Sequence, residues 1–268
     1  MGIGFIGGGN MATALIKGIT GGGLYAPSDI FVYDPNEEAM NRLKSELGVQ
    51  PASSGAEAAK LCDLLVLAVK PQVLETAVAE LRDQIDGEKL IISIAAGKTI
   101  KEIESYFNKP IRLVRVMPNT AALVQEAMSA LTGNTNLREG DLERAKALLE
   151  ACGRAEIVPE TLMDAVTAVS GSSPAFVFLM IEAMADGAVA CGMPRAQALT
   201  FAAQAVYGSA KLMLETGKHP GELKDMVCSP AGTTIAGVRE LEEGGFRGLA
   251  MDAVIEAFER SQEMGKQV

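Results

Sequence analysis

Gly7, Gly9 and Ala12 lie in the stretch Ile6-Gly7-Gly8-Gly9-Asn10-Met11-Ala12, directly behind the apolar run Ile3-Gly4-Phe5. Three successive glycines are costly to order, so something at this position requires them. The spacing Gly-x-Gly-x-x-Ala at a strand-to-helix turn supplies what a pyrophosphate needs. The first glycine permits a tight turn, the second lets backbone approach the anion, and the small third residue lets helix and strand pack closely. The helix start adds unpaired N–H groups. Asp34 closes the run Ile30-Phe31-Val32-Tyr33, where a carboxylate can accept hydrogen bonds from the ribose hydroxyls of NADH and repel the 2′-phosphate of NADPH. A turn or capping role ahead of Pro35-Asn36 accounts for Asp34 as well. Ala68-Val69-Lys70-Pro71 and Ala95-Ala96-Gly97 each follow an apolar run. Small residues there leave room for a flat nicotinamide ring, Pro71 stiffens its turn, and Lys70 faces either the cofactor or solvent.

Positioning such residues takes a particular scaffold. Up to about residue 160, short β-rich runs (Ile3–Ile6, Ile30–Tyr33, Leu64–Ala68, Leu90–Ile94 and Ile111–Val116) alternate with helical patterns such as Glu37–Leu47 and Val73–Gln84. That order predicts an α/β fold: a Rossmann-type dinucleotide-binding domain over 1–160, with a mostly parallel sheet between two helix layers. Strand signals then stop, and an all-α domain is expected over 161–268. Its segments Pro174–Cys191 and Pro194–Thr216 are apolar around most of their circumference, more than a thin bundle can bury, so a second copy of the chain is expected to cover them. The last helix carries Met251, Val254, Ile255 and Phe258 on one face.

Composition excludes several functions. Net charge is −10 with the basic residues scattered, so no nucleic-acid footprint is expected. His219 is the single histidine and the four cysteines form no CxxC pattern, so no metal is expected and the cysteines read as buried thiols in a reducing compartment. Glu182, Asp186 and Gly187 interrupt the most apolar segment, and the start lacks a signal-peptide pattern; no membrane partner and a cytoplasmic location are expected. Methionines such as Met180, Met184 and Met213 read as packing, and His219 as a helix-entry or interface residue.

Phe5-Ile6-Gly7-Gly8-Gly9-Asn10-Met11-Ala12, Leu67-Ala68-Val69-Lys70-Pro71-Gln72, Ser93-Ile94-Ala95-Ala96-Gly97, Val116-Met117-Pro118-Asn119-Thr120, Ser170-Gly171-Ser172-Ser173-Pro174-Ala175-Phe176 and the block from His219 to Ile235 follow one another in this order over essentially the whole chain. Together they resemble the pyrroline-5-carboxylate reductases, the last block most specifically. The resemblance implies NAD(P)H-dependent reduction of 1-pyrroline-5-carboxylate to L-proline, the last step of proline biosynthesis. It implies homodimers through the helical domain, built into a larger ring such as a decamer. Carried over by motif, cofactor contacts fall on Ile6, Gly7, Gly8, Gly9, Asn10, Met11, Asp34, Ala68, Val69, Lys70, Pro71, Ile94, Ala95 and Ala96. Substrate contacts fall on Ser170, Gly171, Ser172, Ser173, Gly232, Thr233 and Thr234, with Glu160 near the expected hinge. Ala231 stands where the family usually has a second glycine, and Ala121 where it has proline.

The substrate so implied is a small ring with one carboxylate and one C=N bond. Its reduction needs the ring held and its nitrogen served, and no strong acid is required, because a cyclic iminium brings its own proton or a hydroxyl relays one. Thr234 is the hydroxyl expected to face nitrogen. Both Ser229–Thr233 and Ser170–Pro174 are expected to open helices whose free N–H groups receive the carboxylate; ordinary capping is the alternative for their hydroxyls. Two other readings compete: a related two-domain 3-hydroxyacid dehydrogenase, against which the lysine-free stretch Ser170–Glu182 counts, and a cofactor-binding regulatory protein without turnover.

Overall fold

The computed structural model describes residues 2–266. In chain order its strands and helices are β1 (Ile3–Ile6), α1 (Asn10–Gly21), β2 (Ile30–Tyr33), α2 (Glu37–Leu47), β3 (Gln50–Pro51), α3 (Gly55–Lys60), β4 (Leu64–Leu67), α4 (Leu74–Leu81), β5 (Leu90–Ser93), α5 (Ile100–Phe107), β6 (Arg112–Met117), β7 (Ala127–Gly133), α6 (Asp141–Glu150), β8 (Gly153–Ile157), α7 (Met163–Val166), α8 (Ser173–Ala190), α9 (Arg195–Thr216), α10 (Pro220–Val227), α11 (Thr233–Glu243) and α12 (Phe246–Lys266). The chain divides into two compact units. One holds the residues up to Gly171 together with those from Ala257 on, and the other is Ser172–Glu256.

In the first unit all eight strands form one sheet, ordered β3-β2-β1-β4-β5-β6-β7-β8. The first six in chain order run parallel, β7 is antiparallel to β6, and β8 is parallel to β7. The strand pleat sorts alternate residues to opposite faces. Phe5, Leu64, Val66 and Ile92 join one apolar cluster with Ile16 and Ile19 of α1; Ile6, Leu65, Leu67 and Ile91 join another with Val78 of α4 and Ile103 of α5. Both faces are therefore covered by helices, the arrangement that near-continuous apolar strands require. Burying each of the larger of these side chains contributes roughly 1.5–3 kcal/mol.

The expected division at residue 160 and the division into compact units differ. Residues 161–171 stay with the sheet because Glu160 accepts hydrogen bonds from Ile100 N–H (2.7 Å) and Arg115 (3.0 Å), and Ser170 Oγ donates to Met128 O (3.3 Å). The end of α12 returns to the same unit, where Ser261 Oγ donates to Asp164 at 2.7 Å. At the start of α6, Asp141 is almost fully buried and accepts a forked pair of bonds from Arg112 as well as the Arg138 N–H. Burial opposes its ionisation, but these donors outweigh burial and hold the carboxyl below the ordinary aspartate range.

Cys62 and Cys152 are buried, and desolvation pushes both thiols up to about 11. Cys191 is exposed and Cys228 half-buried, so the expectation of four buried thiols holds for two of them within a single chain.

The second unit is helical and its internal core is small, consisting of Ala185, Ala198 and Ala202 with Ile181, Val189 and Met193 packed beside them. Phe178, Leu179 and Phe201 are each about two-thirds exposed. Small residues let α8 and α9 approach closely, yet they leave the larger apolar side chains facing outward.

Two expectations change here. Ser170–Pro174 does not open a helix: Thr167–Ser172 is a π-helical turn between α7 and α8, and Ser172 already has helical dihedrals. The serines are thus inside a helical run, without the free N–H groups of a helix start. The run Glu160–Ala190, 31 residues, is also long and apolar enough by length and composition to cross a bilayer, with 11% of its apolar window buried in the chain. Glu182 and Asp186 alone do not exclude that.

Candidate active site

The glycine turn sits at the carboxyl rim of the parallel strands, where open α/β sheets bind ligands. The rim is stitched one residue beyond the strands: Gly7 N–H donates to Tyr33 O (2.8 Å), Ala68 N–H to Ile6 O (2.8 Å) and Ile94 N–H to Leu67 O (3.1 Å). These bonds bring Ile6, Gly7, Asp34, Ala68 and Ile94, named from sequence, onto one edge.

Gly7 has φ +104°, and a Cβ there would meet the Ala68 carbonyl oxygen at 2.7 Å, so only glycine makes this turn. A Cβ on Gly9 would meet nothing within 4 Å, which leaves its outer side open to a close-approaching ligand. Gly9 is also the N-cap of α1; no side chain caps that helix and no acidic residue lies in its first turn. The N–H groups of Asn10 and Met11 therefore carry the partial positive charge of the helix end into an exposed loop.

Asp34 does two things at once. Its Oδ2 accepts the Gly8 N–H (2.7 Å) and its Oδ1 the Asn36 N–H (2.8 Å), so it ties the glycine loop to the start of α2, which Asn36 then caps. The turn role weighed from sequence is real, and the carboxylate also lines a hollow of about 400 Å³ with Gly8, Gly9, Asn36 and Arg42. On the other side of the turn, Tyr33, Pro35, Val69, Val73 and Ala77 line an apolar cavity of about 260 Å³. An uncapped helix end, a carboxylate among polar groups and an apolar slot match the pyrophosphate, ribose and ring of a dinucleotide. Arg42 was not singled out in the sequence; an exposed arginine midway along a charged helix gives no signal until the loop folds beside it.

Lys70 is exposed and precedes the 3₁₀ turn Pro71–Val73, whose first residue Pro71 stiffens. Ala95 is buried and Ala96 exposed at the end of β5.

In the second unit, α11 has Gly232 as its N-cap and Thr233 and Thr234 in its first turn, no side chain caps it and no acidic residue lies in that turn. The first turn of α11 thus has no side-chain partner for its N–H groups, and Thr234 is half-buried there. Ala231, just before it, has φ +56°, the left-handed region that favours glycine. His219 caps α10, its Nδ1 accepting from Gly221 N–H at 3.1 Å, which is the helix-entry role expected.

Glu160 bonds to Arg115 and Ile100, so its Oε1 has protein partners. Gly171 packs its α-carbon against Met117, whose Cε lies 2.6 Å from where a Cβ would be. Asn119 bridges to Ser170 and Met128. Neither Arg115 nor Asn119 stood out as a site residue; long-range partners of single polar residues leave no periodic trace.

Residues 160–264 match the family described as pyrroline-5-carboxylate reductase dimerisation, and residues 2–97 that described as NADP oxidoreductase, coenzyme F420-dependent. The chain is 51% identical over 264 residues to the pyrroline-5-carboxylate reductase of Methanosarcina acetivorans, covering 98% of both chains. Its fold resembles that of the Coxiella burnetii pyrroline-5-carboxylate reductase (TM-score 0.92, 34% identity, 98% of this chain and 97% of the other). It also resembles the Plasmodium falciparum pyrroline carboxylate reductase solved with NADP bound (TM-score 0.88, 32% identity, 99% and 98% covered).

Proposed function

The chain belongs to the pyrroline-5-carboxylate reductase family, and from that premise we propose how its own residues carry out the reduction of 1-pyrroline-5-carboxylate to L-proline, the final step of proline biosynthesis. It is an NAD(P)-dependent oxidoreductase acting on a CH–NH group. Bound at the glycine turn, the reduced dinucleotide supplies a hydride for the imine carbon.

The chain's part is binding, orientation and protons. The observation that carries the coenzyme reading is the uncapped, acid-free start of α1 behind Gly7. The N–H groups of Asn10 and Met11 hold the pyrophosphate, and Ala68–Pro71 with Ile94–Ala96 form the floor for the nicotinamide end. The carboxylate of the substrate goes to the free N–H groups at the start of α11, with Gly232 and Thr233 beside it. Thr234 Oγ faces the ring nitrogen and holds or relays its proton. Gly171, Ser172 and Ser173 complete the substrate end; Ser170 and Glu160, both bonded within the protein, shape it.

Asp34 disfavours a 2′-phosphate and suits a ribose diol, which supports a preference for NADH. Arg42, lining the same hollow, keeps NADPH usable. The outward apolar side chains of α8 and α9 support a homodimer, and further exposed groups such as Leu249 and Met251 support its assembly into a larger ring such as a decamer. Four unpaired thiols fit the reducing cytoplasm.

The test is to incubate the purified protein with pyrroline-5-carboxylate and either NADH or NADPH and follow loss of nicotinamide absorbance. Turnover with a higher kcat/KM for NADH is expected, and no turnover with either coenzyme defeats the assignment. Asp34→Ser is expected to shift the NADPH/NADH ratio of kcat/KM upward by about tenfold. A ratio that does not move removes Asp34 from coenzyme choice.

A further inference from the structure

Asn119 precedes the 3₁₀ turn Thr120–Val124 but does not cap it. Its amide is engaged elsewhere: Oδ1 accepts the Met128 N–H, and Nδ2 donates to both the carbonyl and the hydroxyl oxygen of Ser170, each at 3.3 Å. Ser170 Oγ in turn donates to Met128 O, also at 3.3 Å. One side chain thus links the connection after β6, the start of β7 and the π-helical turn Thr167–Ser172.

Two features explain why the turn needs this link. Pro174 has no N–H, so the Ser170 carbonyl lacks the donor that an α-helix would supply from four residues on. Asn119 Nδ2 takes that place. Gly171 then allows the turn to close on Met117, the last residue of β6. Met117 pairs with Ala130, so Met128 lies past the carboxyl end of β6, on the rim where such sheets bind ligands. Inserted π turns are held against the ordinary helical register, and they concentrate at functional sites.

We propose that Asn119 is a positioning residue for the reduction: acting through Ser170, it fixes the π-helical turn and with it Gly171 and Ser172. The inference rests on the assignment of those residues to the substrate end.

Steady-state kinetics and amide exchange on the full-length protein test it. Asn119→Ala is expected to raise KM for pyrroline-5-carboxylate about tenfold while KM for NADH changes less than about twofold. Exchange of the 167–172 amides should quicken in the same variant. Combining it with Ser170→Ala should add less than the sum of the two single effects, because the two variants share the Asn119–Ser170 Oγ bond. Asn119→Asp keeps the bond from Met128 and the side-chain volume but loses the donor, so it should reproduce the defect even if the alanine variant fails to fold. An unchanged substrate KM in either folded variant, or a parallel rise for both ligands, overturns the proposal. Ser172→Ala separates the two claims. If it leaves substrate kinetics untouched, the assignment of the substrate end fails; if it raises KM while the Asn119 variants do not, only the positioning role fails.

Discussion

Phe5 and Phe178 state the contrast between the two units: the first is 0% exposed and the second 66%. Phe5 lies in a sheet whose two faces are both covered by the chain's own helices. Phe178 lies on a helix whose core neighbours are alanines and whose large side chains point outward. The difference teaches that one unit completes its core by folding, whereas the other offers an apolar surface of the size and character that a partner surface covers. The helical unit lies within residues 160–264, which match a family described as a dimerisation domain.

Substitutions break or sharpen this contrast in descending order of effect. Phe5→Ala should cost the fold about 4 kcal/mol, read as a loss in denaturation midpoint. Phe178→Asp should instead weaken self-association by a comparable amount, about a thousandfold in dissociation constant, read by sedimentation. Equal effects of both on unfolding, with no change in mass, would remove the contrast.

Asp141→Asn should cost about 3 kcal/mol, because the partly buried Arg112 is left without its counter-charge. The sign in pH follows from the depressed carboxyl. Its contribution is fully present above the ordinary aspartate range and is lost as pH falls through the lowered folded-state value. The variant's acid limb should accordingly be flatter in thermal melts taken from neutral to low pH.

Thr234→Ala should lower turnover ten- to thousandfold, about 1.4–4 kcal/mol, while leaving the unfolding midpoint and the association state unchanged. Stopped turnover assays beside sedimentation decide it, and unaltered kinetics remove Thr234 from the mechanism. Smallest is Ala231→Gly, which relieves left-handed backbone at φ +56°. A gain of up to about 1 kcal/mol in stability is expected, since the relieved strain exceeds the entropy glycine adds to the unfolded chain. A loss of stability would mean that the Ala231 methyl makes packing contacts worth more than the strain.

Much of the first unit was legible. Strands such as Leu64–Leu67 and Leu90–Ser93 are apolar on both faces, so their composition declares them. Three strands left no such mark. β3 is two exposed residues, β7 is built largely from small residues, and β8 buries only Ala155 of its five. Gly7, Gly9 and Asp34 could be read because the spacing itself encodes the turn. The serine block misled, since serine followed by proline is the ordinary signature of a helix start. Only the folded chain shows it inside a π-helical turn, with Asn119 drawn to Ser170 from 51 residues away.

Cys152 extends what the sheet's burial implies. Its sulfur occupies the space a side chain at Gly18 would need, and desolvation pushes the thiol up to about 11. A neutral, enclosed thiol is a poor target for electrophiles, so alkylation of Cys152 near neutrality proceeds only through molecules that have transiently opened. The residue is a clock built into the protein, its labelling rate counting excursions out of the native state.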